Sequence, residues 1–186
     1  MKRFAALLPL VIALFFCFAF APNIGVSRAA EDATDPGLYS NDWRTTGPQG
    51  GDVRALVVDP QNPDRFYFGT LDGQIYTSAD GGKHWQLLYN FGKPRLFIDN
   101  IIVDPRNSRV LYVGAHRHNV PGGFFKSTDG GRKWRESSEL KNEALHSLTQ
   151  AEADPNVLIA GTFNGIFRSD NSGDSWTLPI VRTKSR

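Results

Sequence analysis

Three copies of one short motif constrain this chain more than any other feature. Ser78-Ala79-Asp80-Gly81-Gly82-Lys83-His84-Trp85, Ser127-Thr128-Asp129-Gly130-Gly131-Arg132-Lys133-Trp134 and Ser169-Asp170-Asn171-Ser172-Gly173-Asp174-Ser175-Trp176 share the frame Ser-x-Asp/Asn-x-Gly-x-x-Trp. Copies about 40 to 50 residues apart mark a propeller or solenoid, because one such unit cannot bury its apolar faces alone and must stack on its neighbours.

The repeat is longer than the motif. With Gly69-Thr70, Gly114-Ala115 and Gly161-Thr162 in register, Val53-Arg54-Ala55-Leu56 aligns with Ile98-Asp99-Asn100-Ile101 and with Leu145-His146-Ser147-Leu148. Asn62-Pro63, Asn107-Ser108 and Asp154-Pro155 align too, as turn residues. Each unit then reads as four strands, with the motif as the turn between the third and the fourth. The second strands, Arg65 to Phe68, Val110 to Val113 and Val157 to Ala160, are apolar on consecutive residues, which fits a strand covered on both faces. The expected fold is all-β, a β-propeller of four-stranded blades at about 53–92, 98–139 and 145–181 within a segment 41–181. An orphan strand around Trp43 belongs to an earlier blade, so the ring is incomplete. An immunoglobulin-like sandwich does not predict one unit repeated three times.

The N-terminus reads as an export signal. Met1-Lys2-Arg3 is basic, Phe4 to Ala21 is an almost unbroken apolar run, and Ser27-Arg28-Ala29-Ala30 offers small residues for cleavage before Glu31-Asp32. Residues 1–30 are therefore expected to be a signal peptide and the product secreted or periplasmic. An uncleaved anchor is the alternative, although Pro9 interrupts the apolar run. Residues 31–40 read as a polar lead-in and 182–186 as a basic tail. The single cysteine, Cys17, lies inside the leader, so packing and not disulfides must hold the mature chain. Removing Lys2, Arg3 and Arg28 from 21 basic residues leaves 18 against 19 acidic ones, a net charge of −1. No basic patch for nucleic acid follows, no membrane span remains after cleavage, and no cofactor or metal motif is present.

The motif resembles the Asp-box, or BNR, repeats of sialidases, sortilin-type receptors, xyloglucan-degrading hydrolases and photosystem II assembly propellers, over about Trp43 to Ile180. The resemblance implies the propeller and leaves the activity open. Physical chemistry gives the boxes a structural role. Ser78, Ser127, Ser169, Asp80, Asp129 and Asn171 can bond backbone groups across a tight turn. Gly82, Gly131 and Gly173 supply positive φ, and Trp85, Trp134 and Trp176 bury a ring against a neighbouring sheet. Because the third copy already carries Asn171, Asp129→Asn is expected to be mild.

In a four-stranded meander the turns after strands one and three share one end, so the varied loops at the other end are where a ligand would bind. Three features mark that end. Arg54, Asp99 and His146 occupy one repeated position near the mouth of the central channel. The loop Ala115 to Gly122 carries His116, Arg117 and His118, a His-x-His with no third ligand apparent. Asp52, Asp72, Asp99 and Glu143 are acids on these segments, and a glycosidase needs two acids facing one bond. Asp72 and Asp99 are the catalytic candidates, and Arg54, Asp99, His146, His116, Arg117 and His118 the binding candidates. Ser138 to Leu145 is expected to form one helical turn with Glu139 and Glu143 facing solvent.

The enzymatic relatives do not match these residues fully. The chain lacks the Arg-Ile-Pro element of sialidases. It resembles the xyloglucan hydrolases at Tyr67-Phe68-Gly69-Thr70-Leu71-Asp72-Gly73, but their catalytic Asp follows the Thr directly, where Leu71 stands here. One step along a strand reverses the side chain. The expected function is therefore a non-catalytic binding or assembly module. The alternative is a carbohydrate-active hydrolase, sialidase-like or xyloglucanase-like, or a fragment of one. The partners expected are a protein, or a second copy completing the propeller, and a carbohydrate.

Overall fold

A computed structural model describes residues 46–48, 52–118 and 120–178. The expected leader, lead-in, Trp43 strand and basic tail lie outside the described residues. Among the described residues there are eleven strands and no helix, and so no helix long and apolar enough to cross a membrane. Strands β1 (Val53–Asp59), β2 (Asn62–Thr70), β3 (Gln74–Ser78) and β4 (Gln86–Asn90) form one antiparallel meander. A second comprises β5 (Phe97–Val103), β6 (Leu111–Arg117), β7 (Val120–Ser127) and β8 (Arg135–Glu136). The third has β9 (Leu145–Gln150), β10 (Leu158–Thr162) and β11 (Gly165–Ser169).

These sheets are blades of a β-propeller, with one correction. The fourth strand expected in the third blade is reduced, among the described residues, to a single bridge between Arg168 and Thr177. The first strands lie side by side, β1 against β5 and β5 against β9, on the inside of the stack. Two apolar layers fill the gaps between blades. Tyr67 and Ile75 of the first blade meet Ile98, Ile101, Val103 and Phe125 of the second. Tyr112 and Phe124 of the second meet Leu145, Leu158 and Trp176 of the third. Strand β6 contributes to both layers, and Leu111 to Ala115 is buried without a break. That is why its sequence is apolar on consecutive positions instead of alternating.

Three hydrogen bonds recur in every copy of the repeated turn. Ser78, Ser127 and Ser169 each accept from the backbone N–H of the following Gly82, Gly131 or Gly173 through Oγ, at 2.9 Å. The same hydroxyls donate to Asp80, Asp129 and Asn171 at 2.8, 3.0 and 2.9 Å. Those side chains accept in turn from the backbone N–H four residues on, at 2.9, 3.0 and 2.9 Å. The Asp80 carboxyl is held well below the usual carboxylate range, first by the backbone N–H of His84 and then by the His84 ring and Ser78. Backbone donation from Lys133 lowers Asp129 likewise.

A further backbone bond ties each repeated turn to the start of strand two or the turn just before it. Gly81 N–H donates to Asp64 O, Gly130 to Arg109 O and Ser172 to Asn156 O, at 2.9, 2.8 and 2.8 Å. Both turns therefore share one end of the blades, as a meander requires. Asn62-Pro63 opens β2 instead of lying in the turn, which sits at Pro60-Gln61.

Glycine is required in the third box by two constraints together. Gly173 has φ +78°, and a Cβ there would lie 2.6 Å from Cζ of Phe124 in the preceding blade. Trp176 lies beside it with its ring 4.8 Å from that of Phe124. Trp134 packs likewise on Phe91 and Tyr89 of the first blade. The second and third boxes thus seat their own turns and pin their blades to the one before, whereas Trp85 of the first box packs on Phe66 and Phe68 of its own blade.

Candidate functional site

At the end away from the boxes, each first strand is broken at the same place by a β-bulge. Val53 pairs with Thr70 and Ala55 with Gly69, so Arg54 is left out of the ladder. Ile98 and Asn100 pair with Ala115 and Gly114, which leaves out Asp99. Leu145 and Ser147 pair with Thr162 and Gly161, which leaves out His146. A bulge re-aims the extra residue and ends regular pairing. The aligned trio is thus one structural position repeated three times, carrying three different side chains.

Two of the three converge. Asp99 Oδ2 faces His116 Nδ1 in a carboxylate–imidazole contact, and both atoms are buried with no other hydrogen-bond partner. The His116 ring lies 4.5 Å from that of His146 in the next blade. His146 in turn meets Phe163 edge-on, also at 4.5 Å, and Phe97 meets His116 edge-on at 5.0 Å. The result is a continuous row, Asp99, His116, His146 and Phe163, across the boundary between two blades. Phe163 is 77% exposed. Beside it a cleft of about 270 Å³ is lined by Val120, Pro121, Asn142, Ala144, Phe163 and Asn164.

The remaining candidates do not join this row. Arg54 is exposed on the first blade and pairs with Asp52 at 3.6 Å. The segment expected as a loop from Ala115 to Gly122 is a tight hairpin: β6 runs on to Arg117, β7 starts at Val120, and Arg117 pairs with Val120. Strand alternation therefore separates His116 from Arg117, whose Nε donates to Pro121 O at 3.0 Å. His118 sits exposed at the hairpin tip, and Asn119 lies outside the described residues. Among the described residues no group of three His, Cys, Asp or Glu is placed to hold a metal.

The acids at this end have separate settings. Asp72 is exposed in the β2–β3 turn, its backbone N–H donating to Thr70 Oγ1 at 3.3 Å. Glu143 accepts from Asn164 Nδ2 at 3.0 and 3.1 Å instead of facing solvent alone. In place of the expected helical turn at Ser138 to Leu145 there is one continuous turn over 138–142, with Leu140 drawn into the core between blades. Glu139 there accepts from Ser137 and Ser138.

Sequence reasoning missed Phe163 and Phe97. The signal for Phe163 was available in the repeat, since Leu71, His116 and Phe163 all stand two residues after the register glycines Gly69, Gly114 and Gly161. Within each blade that position lies beside the bulge. In the second and third blades it forms the pairs Asp99–His116 and His146–Phe163.

Comparison with known proteins points in one direction. No family model matches the chain. A xyloglucanase from a Paenibacillus species is 28% identical, over 74% of this chain and 16% of that protein. A probable oligoxyloglucan-reducing end-specific xyloglucanase from Neosartorya fischeri is 30% identical, over 55% of this chain and 13% of its own length. The chain therefore spans about a sixth or less of the curated relatives it matches. Among solved structures, an ancestral GH74 enzyme superposes with a TM-score of 0.63 at 22% identity, covering 76% of this chain and 20% of that one. YCF48 from Cyanidioschyzon merolae gives 0.53 at 21%, covering 75% and 40%. The chain is an all-β, propeller-type protein similar in sequence to xyloglucan-acting glycosidases.

Proposed function

We propose that the chain is an exported segment of an Asp-box repeat propeller of the xyloglucanase kind, and that its bulged end holds a saccharide chain. What supports this is the row Asp99, His116, His146 and Phe163: an exposed aromatic face adjoining a line of hydrogen-bonding groups. A pyranose offers an apolar face to such a ring and hydroxyls to such groups. The similarity to xyloglucanases supplies the substrate class, and the leader-like N-terminus supplies the route out of the cell.

Holding is a smaller demand than cutting. Hydrolysis needs two carboxyls across one bond. Here Asp99 is engaged by His116, Asp52 by Arg54 and Glu143 by Asn164, while Asp72 stands in a turn. These local pairings favour a segment that binds without turnover on its own.

The test is calorimetric titration of the secreted chain with xyloglucan oligosaccharides, with manno-oligosaccharides as control. Phe163→Ala is expected to weaken xyloglucan binding about tenfold, the equivalent of roughly 1.4 kcal/mol. Equal affinity of the variant, or no binding by the parent chain, would overturn the proposal. Release of reducing ends that disappears in Asp99→Asn would show that the segment cuts as well as holds.

A further inference from the structure

The second blade carries a buried pair that the meander does not require. The bulge position and the position two after the register glycine hold Arg54 and Leu71 in the first blade, His146 and Phe163 in the third, and Asp99 and His116 in the second. The same strands therefore form without an acid and an imidazole at these places. In the second blade Asp99 Oδ2 and His116 Nδ1 nevertheless face each other, buried and with no other partner. Withdrawing a carboxylate from water is unfavourable unless it is paired, and the pair sits at the boundary with the next blade, where His116 touches His146.

Asp99 decides what His116 can do. An ionised carboxylate only accepts hydrogen bonds, so the hydrogen in this contact belongs to Nδ1. In an uncharged imidazole one nitrogen donates and the other accepts, which leaves Nε2 as the acceptor. The ring is held between neighbours, with Phe97 edge-on at 5.0 Å and His146 at 4.5 Å. The His116 side chain keeps 19% of its surface while Nδ1 is buried, and Nε2 is the polar atom it has left. We infer that Asp99 is a positioning residue: it fixes His116 with hydrogen on Nδ1 and presents Nε2 to take a hydrogen bond from a hydroxyl of the bound saccharide. For its ligand this rests on the saccharide reading above, and for the tautomer on the Asp99–His116 contact alone. The hydrogen bond made by one ring nitrogen sets the role of the other. An acceptor at this place selects ligands with a free hydroxyl there, a distinction that the apolar ring of Phe163 cannot make.

The experiment is two-bond proton–nitrogen correlation NMR of the secreted chain with isotope-labelled histidine, at about pH 8, above the ordinary imidazole range. His116→Gln identifies the His116 signals. The parent is expected to show hydrogen on Nδ1 and a bare Nε2, whose resonance moves on titration with xyloglucan oligosaccharides. An amide in place of an orienting carboxylate leaves the ring where it is but gives the wrong tautomer. Asp99→Asn is therefore expected to put the hydrogen on Nε2 and to weaken binding about tenfold, the effect of one lost hydrogen bond. Hydrogen on Nε2 in the parent, alone or on both nitrogens, overturns the positioning role. So does an Asp99→Asn variant that binds as tightly as the parent. A parent that binds no saccharide overturns the ligand assigned to Nε2 together with the saccharide reading, and the parent's tautomer then decides the role of Asp99 by itself. Each variant's cooperative melt is checked first, and Asp99→Ala replaces Asp99→Asn if that variant loses it.

Discussion

Gly173→Ala separates the two constraints that the box glycine answers. The backbone there has φ +78°, where an L side chain costs about 1–2 kcal/mol. The added methyl would also meet Cζ and Cε1 of Phe124 at 2.6 and 2.9 Å. Phe124 is buried between two blades and stacked on Tyr112, so it has little room to yield. Overpacking of this kind costs about 1–3 kcal/mol, which brings the expected loss to roughly 2–5 kcal/mol. Gly130→Ala is the matched control. Its φ is +82°, yet nothing lies within 4 Å of the added Cβ, so only the backbone cost of about 1–2 kcal/mol applies. Both are read by urea unfolding followed through tryptophan fluorescence, with the slope compared to confirm two-state behaviour. Equal losses in the two variants would refute the claim that the box glycine carries the contact between blades.

The acid response should report Asp104. Burial works to raise its carboxyl, but hydrogen bonds from Arg106, Gln150 and Tyr112 outweigh that and hold it at about 2. A carboxyl depressed in the folded state stabilises the fold above its ordinary value of 3.8. That contribution is lost as pH falls from there toward about 2. Stability should drop by on the order of 2 kcal/mol across that window, and Asp104→Asn should flatten the slope in urea titrations at stepped pH. A second expectation concerns the box acid. Asn171 serves in the third turn because its Nδ2 donates to Ser175 Oγ at 2.8 Å, whereas the matching residue in the second turn is Lys133, which offers a cation. Asp129→Asn should therefore lower the Tm, contrary to the mild effect expected from the motif alone, and adding Lys133→Ser should recover most of the loss. An unchanged melt in the single variant would dismiss the coupling.

The blades were legible because their determinants are local. Ser, Asp and Gly at fixed offsets specify a turn within a few residues, and the register glycines then align the flanking strands. The contents of the ligand end were less legible because they depend on pairing between strands. Nothing in Arg54, Asp99 or His146 announces a bulge, which arises where the ladder slips by one residue. The Asp99–His116 contact follows from that slip, and His116–His146 follows from how two blades meet. The hairpin at Arg117 to Val120 was hidden by its polar composition, which reads as a loop. The short fourth edge of the third blade was hidden by the reverse: Trp176 starts a strand pattern that, among the described residues, continues only as one bridge between Thr177 and Arg168.

The same bulge explains why the ligand end can vary while the blades stay alike. Val53, Ile98 and Leu145 precede it and are apolar in every copy. Gly69, Gly114 and Gly161 face the ladder just beyond it, and a Cβ at Gly69 or Gly161 would lie within 2.4 Å of Ile98 or Ser147. Those positions are fixed by close approach of backbone and side chain. The bulged residue between them makes no ladder bond, so cohesion places few demands on its side chain. Charge, acid or imidazole can occupy it at little cost to the sheet, and Arg54, Asp99 and His146 do. At the opposite end a change from Asp to Asn comes with a new acceptor at Ser175, because there the side chain is part of the turn. Chemistry is therefore concentrated where the sheet has stopped using the residue, and in this chain that is the rim carrying His116, His146 and Phe163.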